Sequence, residues 1–338
     1  MNKLQYVFKN KLAARLPNWG SGVLLLLIIA GAARFLGTLF PLMGSILFAI
    51  MIGIVINNTI GVHEVFQPGL SLTLKKLLKA AVVMLGVSLS FADILLIGRQ
   101  SLLVILVSVI LGIVITIWVG RLLNMDRKLA LLIGVGTSIC GATAISAVKG
   151  VIDSDDNETA YAISIIVFFN LIAFFLYPII GHVLDLTATS FGIWAGTAVH
   201  DTSSSIAVGY VYGNEAGQVA TTVKLARTLF LLPLILILPL LLRKDRQNGS
   251  QAAKKAFPWF VLWFLAVSVI NSFGIIPAVA EETVTDIAKF IIIMVMGAVG
   301  LQVNLKQFAK LGFKPLIAGL AASVTVSVIS LLMILFLL

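Results

Sequence analysis

Gly196-Thr-Ala-Val-His-Asp-Thr-Ser-Ser-Ser-Ile-Ala-Val-Gly209 is the stretch on which the reading of this sequence turns. It lies in the middle of a long apolar region, yet it holds a histidine, an aspartate, two threonines and three serines. An ionisable residue at membrane depth costs roughly 2.5–3.5 kcal/mol on insertion scales, and simple helix packing gives no reason to bear that. The chain around it is membranous throughout. Of 338 residues, 60% are hydrophobic and 11% charged, against roughly 45–50% and 25% in soluble domains. Mean hydropathy is +1.10. A soluble enzyme, a disordered chain and a fibrous repeat are excluded, and no hydrophilic stretch is long enough for a separate soluble domain. The whole of 1–338 therefore reads as one integral membrane domain, with a cytoplasmic N-terminus over 1–21 and a basic connector over 243–256.

Runs close to the ~20 residues a membrane helix needs lie at 22–40, 42–57, 77–97, 101–120, 129–149, 159–180, 187–213, 218–242, 257–276, 283–304 and 312–338. They predict an all-α polytopic protein with eleven crossings. The net charge of +10 does not indicate nucleic acid, because the basic residues sit in short loops. With the N-terminus inside, the cytoplasmic segments (the N-terminus, 75–79, 121–128, 243–255 and 306–314) collect 18 of the 24 basic residues. Acidic residues crowd the opposite side, at Asp153-Ser-Asp-Asp156 and Glu281-Glu282. Such a bias sets a cytoplasmic N-terminus and an external C-terminus. The basic start and first apolar run imitate a signal peptide, but with every later segment membranous they read as the first span. A single cysteine, Cys140, rules out an intrachain disulfide.

A second segment, Gly134-Val-Gly-Thr-Ser-Ile-Cys-Gly-Ala-Thr-Ala-Ile-Ser-Ala-Val148, has the same build: glycines and short hydroxyl side chains near the expected bilayer midpoint. Hydroxyls can satisfy freed backbone groups there, and glycine admits unusual dihedrals. Both segments are expected to be interrupted helices. A broken helix offers bare N–H groups to an anion and freed carbonyls to a cation; the alternative is close helix packing by small residues. On this path both would cross in the same sense, unless 181–217 contains a re-entrant hairpin. Gly86–Asp93 aligns without gaps to Gly300–Gln307, each copy ending one span and entering the next, which suggests inverted-repeat character.

The residues expected to meet at a substrate site are Thr137, Ser138, Cys140, Gly141 and Thr143 from one segment, and His200, Asp201, Thr202 and Ser203 from the other. Lys224 and Arg227, three apart and on one helix face, complete the set. Asp201 fits a helix cap donated to by Ser203 or Ser204 and can also carry a coupling proton or sodium ion. His200 fits a ligand or a proton relay. Lys224 can snorkel to the outer interface, whereas Arg227 lies too deep; facing inward, the pair would attract an anion or neutralise Asp201. Arg34 fits snorkelling or a carboxylate partner. Asn170 and Asn271 fit interhelical hydrogen bonds. Cys140 reads chiefly as a small packing residue. Enzyme, cofactor and metal motifs are absent.

Gly136-Thr-Ser-Ile-Cys-Gly-Ala-Thr-Ala-Ile145, Gly192-Ile-Trp-Ala-Gly-Thr-Ala-Val-His-Asp201 and Val223-Lys-Leu-Ala-Arg227, with Pro68-Gly69, Gly86 and Phe257-Pro-Trp259, resemble signatures of the bacterial YeiH-like membrane family. The likeness covers nearly the whole chain. That family is largely uncharacterised, is described as sulfate exporters, and is related to the bile-acid, auxin and sodium–proton antiporter superfamily. The resemblance implies a bacterial inner-membrane location, discontinuous helices, alternating access, and a moving core that carries both interrupted segments beside a scaffold. The expected function is secondary transport of a small anion, sulfate or sulfonate-like. The alternatives are a cation/proton antiporter built on Asp201, and a non-transporting scaffold or sensor. Expected partners are the anion, a coupling proton or sodium ion, the lipid bilayer and a second copy in a homodimer, with no nucleic acid.

Overall fold

The computed structural model describes residues 18–40, 44–241, 254, 256–308 and 311–337. The basic N-terminus and almost all of the 243–256 connector lie outside these. Every regular element among the described residues is helical. In chain order they are α1 (Gly20–Leu39), α2 (Gly44–Thr59), α3 (Gln67–Leu72), a π-helical turn (Thr73–Leu77) and α4 (Leu78–Leu85). Then come α5 (Phe91–Leu122), α6 (Arg127–Ser138), α7 (Ala142–Ile152), α8 (Asp156–Val183), α9 (Ala188–Ala198), α10 (Thr202–Tyr212) and α11 (Asn214–Leu229). The last are α12 (Leu231–Leu241), α13 (Trp259–Ser272), α14 (Ala278–Gln302), α15 (Leu305–Phe308) and α16 (Phe313–Leu337). Among the described residues, six stretches are long and apolar enough to cross a membrane: α1, α5, α8, Asn214–Pro239, α14 and α16. Their large exposed side chains, such as Leu95, Ile110 and Leu335, suit a lipid solvent.

The chain forms two compact units, residues up to Ser88 with Gly274–Leu305, and Leu89–Phe273 with Lys306 onward. In the first, glycines bring helices into backbone contact. A Cβ on Gly53 would stand 2.5 Å from the Gly297 carbonyl, and one on Gly22 would stand 2.8 Å from the Gly69 Cα. Such small-residue seams are how helices associate without a hydrophobic drive. Asn57 and Asn58 donate to the Val303 carbonyl at 3.0 and 2.9 Å, satisfying the end of α14. Arg34 lies 6.0 Å from the Phe290 ring centroid, and borders a hollow of about 450 Å³ that also includes Glu282 and Asp286.

The chain departs from the sequence-based path in three ways. First, the runs 77–97 and 101–120 are not two spans divided at Gly98. α4 ends at Leu85, Ser90 caps the next helix by accepting from the Asp93 N–H at 3.1 Å, and α5 continues unbroken for 32 residues. Second, 129–149 folds back on itself. Lys128 at the start of α6 donates to the Asp153 carbonyl just past the end of α7, at 2.8 Å. A continuous helix over that stretch would hold those residues roughly 38 Å apart. Third, 187–213 also folds back. Ser205 Oγ donates to the Ala195 carbonyl at 2.8 Å, and the rings of Phe191 and Tyr212 stack at 3.8 Å.

Each of the two segments is thus a hairpin of two short helices. Each arm has 11 or 12 residues, about 17 Å or half the hydrocarbon thickness. Their bases sit at opposite ends of α8. The first is held by the Lys149–Asp156 ion pair at the start of α8. The second is held by the Tyr212 hydroxyl, which donates to the Gly181 and Leu186 carbonyls at 3.3 and 2.6 Å. Entering from opposite ends, the hairpins meet at their tips. This removes the same-sense crossing expected from the sequence. It also puts Asp153–Asp156 at the same end as the 121–128 basic loop, not across from it.

Candidate functional site: the meeting of two hairpin tips

The first tip turns because α6 stops at Ser138 and Gly141 adopts φ +67, ψ −132, a backbone conformation that only glycine takes without strain. The second turns at Val199, His200 and Asp201. Asp201 has extended backbone angles, and its carboxylate accepts from the Ser203 N–H at 3.0 Å and from the Ser203 hydroxyl. That is the helix cap anticipated from the sequence. Asn170, from the middle of α8, accepts both the His200 and Asp201 backbone N–H groups, at 3.0 and 3.2 Å.

Two helix C-termini, of α6 and α9, and two helix N-termini, of α7 and α10, converge here. Carbonyl groups left free at the C-termini need donors, and α11 supplies them. Arg227 donates from Nε to the Ser138 carbonyl at 2.7 Å, from one terminal nitrogen to the Thr137 carbonyl at 2.7 Å, and from the other to the carbonyls of Thr197 and, at 3.4 Å, Val199. Lys224 Nζ donates to the carbonyls of Val199 and His200 at 2.6 and 2.7 Å. Cations at helix C-termini also complement the dipoles. The α11 face that carries them packs on both arms of the second hairpin: Gly192 and Gly196 lie against Val219 and Val223, and Gly209 lies against Ala220.

His200 is an internal strut. Its Nδ1 lies 3.1 Å from the Thr137 carbonyl, its Nε2 lies 2.8 Å from Ser323 Oγ on α16, and the residue is 1% exposed. A carbonyl can only accept, so Nδ1 carries the proton and Nε2 accepts from the serine.

Of the eleven residues expected at a site, nine meet around the two tips, and Thr143 and Thr202 lie in the first turns of α7 and α10 beside them. Thr137, Ser138, Cys140, His200, Ser203, Lys224 and Arg227 are all buried, as is Gly141. Asp201 and Thr202 are half-buried and Thr143 is exposed. Cys140 lies against the Ala144 N–H, among Lys224, Asp201 and Arg227. The accessible polar groups at the junction are therefore Thr143, Asp201 and Thr202. Asn170 was legible as a hydrogen-bonding amide but not as a part of this site. Ser323, in Ala-Ala-Ser, carried no signal.

This sequence matches the family model Conserved hypothetical protein 698 over residues 21–319. It is 38% identical to a UPF0324 membrane protein of Clostridium tetani, covering 94% of this chain and 97% of the relative. It is 35% identical to the UPF0324 membrane protein SAG1125 of Streptococcus agalactiae, covering 92% and 96%. The chain belongs to the UPF0324, YeiH-like family of membrane proteins. Both hairpins and the Lys224–Arg227 face of this UPF0324 chain fall within the matched region.

Proposed function

We propose that the chain is a secondary transporter for a small anion, working by alternating access in the bacterial inner membrane. One observation carries the reading: two fully buried cations stand at the junction with a single, half-buried carboxylate. Lys224 and Arg227 are each 0% exposed. Among the described residues neither is found in an ion pair, unlike Lys149 with Asp156 or Lys289 with Asp286. Two helix N-termini and two C-termini offset one another, so the junction keeps about one excess positive charge with Asp201 ionised. In a low-dielectric interior that charge favours an anion. Helix ends meeting near the bilayer midplane are a recurring substrate site in secondary transporters.

On this reading the chain crosses the membrane nine times, at α1, α2, α3–α4, α5, α8, α11–α12, α13, α14 and α16, with both hairpins re-entrant. Removing two crossings preserves a cytoplasmic N-terminus and an external C-terminus. The basic segments at the N-terminus, 121–128, 243–255 and 306–314 support that orientation, while the 153–156 acids no longer do. The cation/proton antiporter alternative is less favoured, because two cations beside a single carboxylate disfavour a further cation there. Proteoliposome uptake with sulfate, sulfite and small sulfonates tests the reading. Uptake of one anion in exchange or down a gradient supports it. Uptake of a cation alone, driven by a proton gradient and abolished by Asp201→Asn, would replace it with the antiporter.

A further inference from the structure

The inference rests on the anion-transport reading and adds the identity of its coupling ion. We propose that the anion moves together with a proton carried on Asp201, and that the junction has no place for sodium. Where a membrane helix is broken, its freed carbonyls are the usual ligands of a coupling sodium ion. Here those carbonyls belong to Thr137, Ser138, Thr197, Val199 and His200. All five already accept from Arg227 or Lys224. Two fixed cations of the protein stand where sodium would need its oxygens. Among the described residues, no three His, Cys, Asp or Glu side chains converge to hold a metal ion.

One carboxylate is left at the junction to carry a proton. Asp201 is half-buried, so part of its surface is open. Its Oδ2 is taken by Ser203. Its Oδ1 lies over Gly141, 3.3 Å from where a Cβ there would stand, and among the described residues it accepts no hydrogen bond. The charged and titratable groups facing it are Lys224, with Arg227 behind, from α11, and Cys140 from the first hairpin. On its own element stands His200, whose nitrogens are both engaged. From α8 and α16 the tip's hydrogen-bond partners are the neutral Asn170 and Ser323.

The step balances simply. A proton from water forms an O–H bond at Oδ1, and the excess charge of the junction rises by one unit. The anion then binds more tightly. When the junction opens to the other side, the O–H bond breaks, the proton returns to water and the anion follows. Because binding free energies are reciprocal, the proton tightens anion binding by the same factor as the anion tightens proton binding, roughly 5–150-fold for a coupling of ordinary size.

The test uses the full chain in proteoliposomes loaded with a pH-sensitive dye. Uptake of sulfate, sulfite and methanesulfonate is measured with an inward proton gradient, an inward sodium gradient, or neither. The expected result is that the transported anion enters about tenfold faster with the proton gradient, is indifferent to sodium, and acidifies the lumen as it enters. Asp201→Asn, whose amide oxygen still caps the Ser203 N–H, should lose the response to the proton gradient. Stimulation by sodium, or a proton response that survives in Asp201→Asn, overturns the proposal. If that variant does not reach the membrane, the wild-type response to the two gradients decides. If wild type moves none of the three anions, the anion reading fails. Infrared difference spectroscopy then judges Asp201 separately: acidification of wild type must produce a protonated-carboxyl band, and its absence refutes the proton site.

Discussion

Replacing Arg227 by lysine separates a clamp from a substrate ligand. The guanidinium reaches the Thr137 and Ser138 carbonyls on the first hairpin and those of Thr197 and Val199 on the second, from three different nitrogens. An ammonium group has three donors on one atom, so it can serve one hairpin or the other. One or two buried carbonyls then lose a charged donor. Interhelical hydrogen bonds in membranes average about 0.6 kcal/mol, with a maximum near 1.7, and bonds to charged groups in proteins contribute about 1.5–3 kcal/mol. Arg227→Lys should therefore destabilise the fold by about 1–4 kcal/mol. Unfolding of the purified protein in mixed detergent micelles, followed by circular dichroism, measures this. Because the guanidinium is occupied by backbone oxygens, KM for the transported anion should change by less than about threefold, under 1 kcal/mol. Wild-type stability combined with a KM raised tenfold or more would refute the clamp and return Arg227 to direct contact with the anion.

Three further outcomes follow from the hairpins. In a Cys140→Ala background, Met125→Cys and Asp155→Cys should react with an impermeant thiol reagent from the same side of the membrane, and Asp185→Cys from the other. Labelling of 125 and 155 from opposite sides would restore a crossing at 129–149. Gly141→Ala forces a side chain into the left-handed region, 3.3 Å from atoms of Asp201; a loss of roughly 1–2 kcal/mol should appear in the same unfolding assay, and a neutral result would argue against the tip geometry. Tyr212→Phe keeps the ring stacked on Phe191 and His182 but removes the hydroxyl bonds to the Gly181 and Leu186 carbonyls, so a cost of about 1 kcal/mol is expected at the base of the second hairpin. An unchanged or raised stability would show that these bonds do not hold it.

The membrane class and the two polar segments were legible because composition and hydropathy report burial in lipid directly. The direction of the chain through those segments was not. A half-length helix that turns back has the same apolar length, end to end, as one full crossing, so 129–149 passed as a span, whereas for 187–213 a re-entrant hairpin within 181–217 was the alternative that its polarity left open. The acidic run Asp153–Asp156 reinforced that error, because it completed a charge alternation that the Lys128–Asp153 contact contradicts. The division at Gly98 failed for a related reason. Gly-Arg-Gln-Ser looked like a loop, yet within a helix of 32 residues it is a single polar turn, and the stop lies instead at Gly86–Ser90. At the site, residue types identified the participants but not their partners. Lys224 and Arg227 fit an anion or the charge of Asp201 in the sequence, which does not display the backbone carbonyls they also donate to. His200 was read as a ligand for the same reason, since Thr137 offers its carbonyl and not its side chain.

The separation in sequence between Arg227 and the carbonyls it serves constrains how the molecule is made. Thr137 and Ser138 precede their donor by 90 and 89 residues. At about 5–20 residues per second of synthesis, the ribosome needs on the order of 5–20 s to deliver Arg227 after the first tip has emerged. Throughout that interval the tip has bare carbonyls, which lipid does not tolerate. On the re-entrant topology proposed above, the first hairpin therefore waits at the water interface and reaches its final depth only when α11 arrives. Membrane insertion of this half of the chain is thus not sequential: an early segment takes its place after a later one, and a nascent chain cut short before residue 227 should leave positions 137–141 open to aqueous reagents.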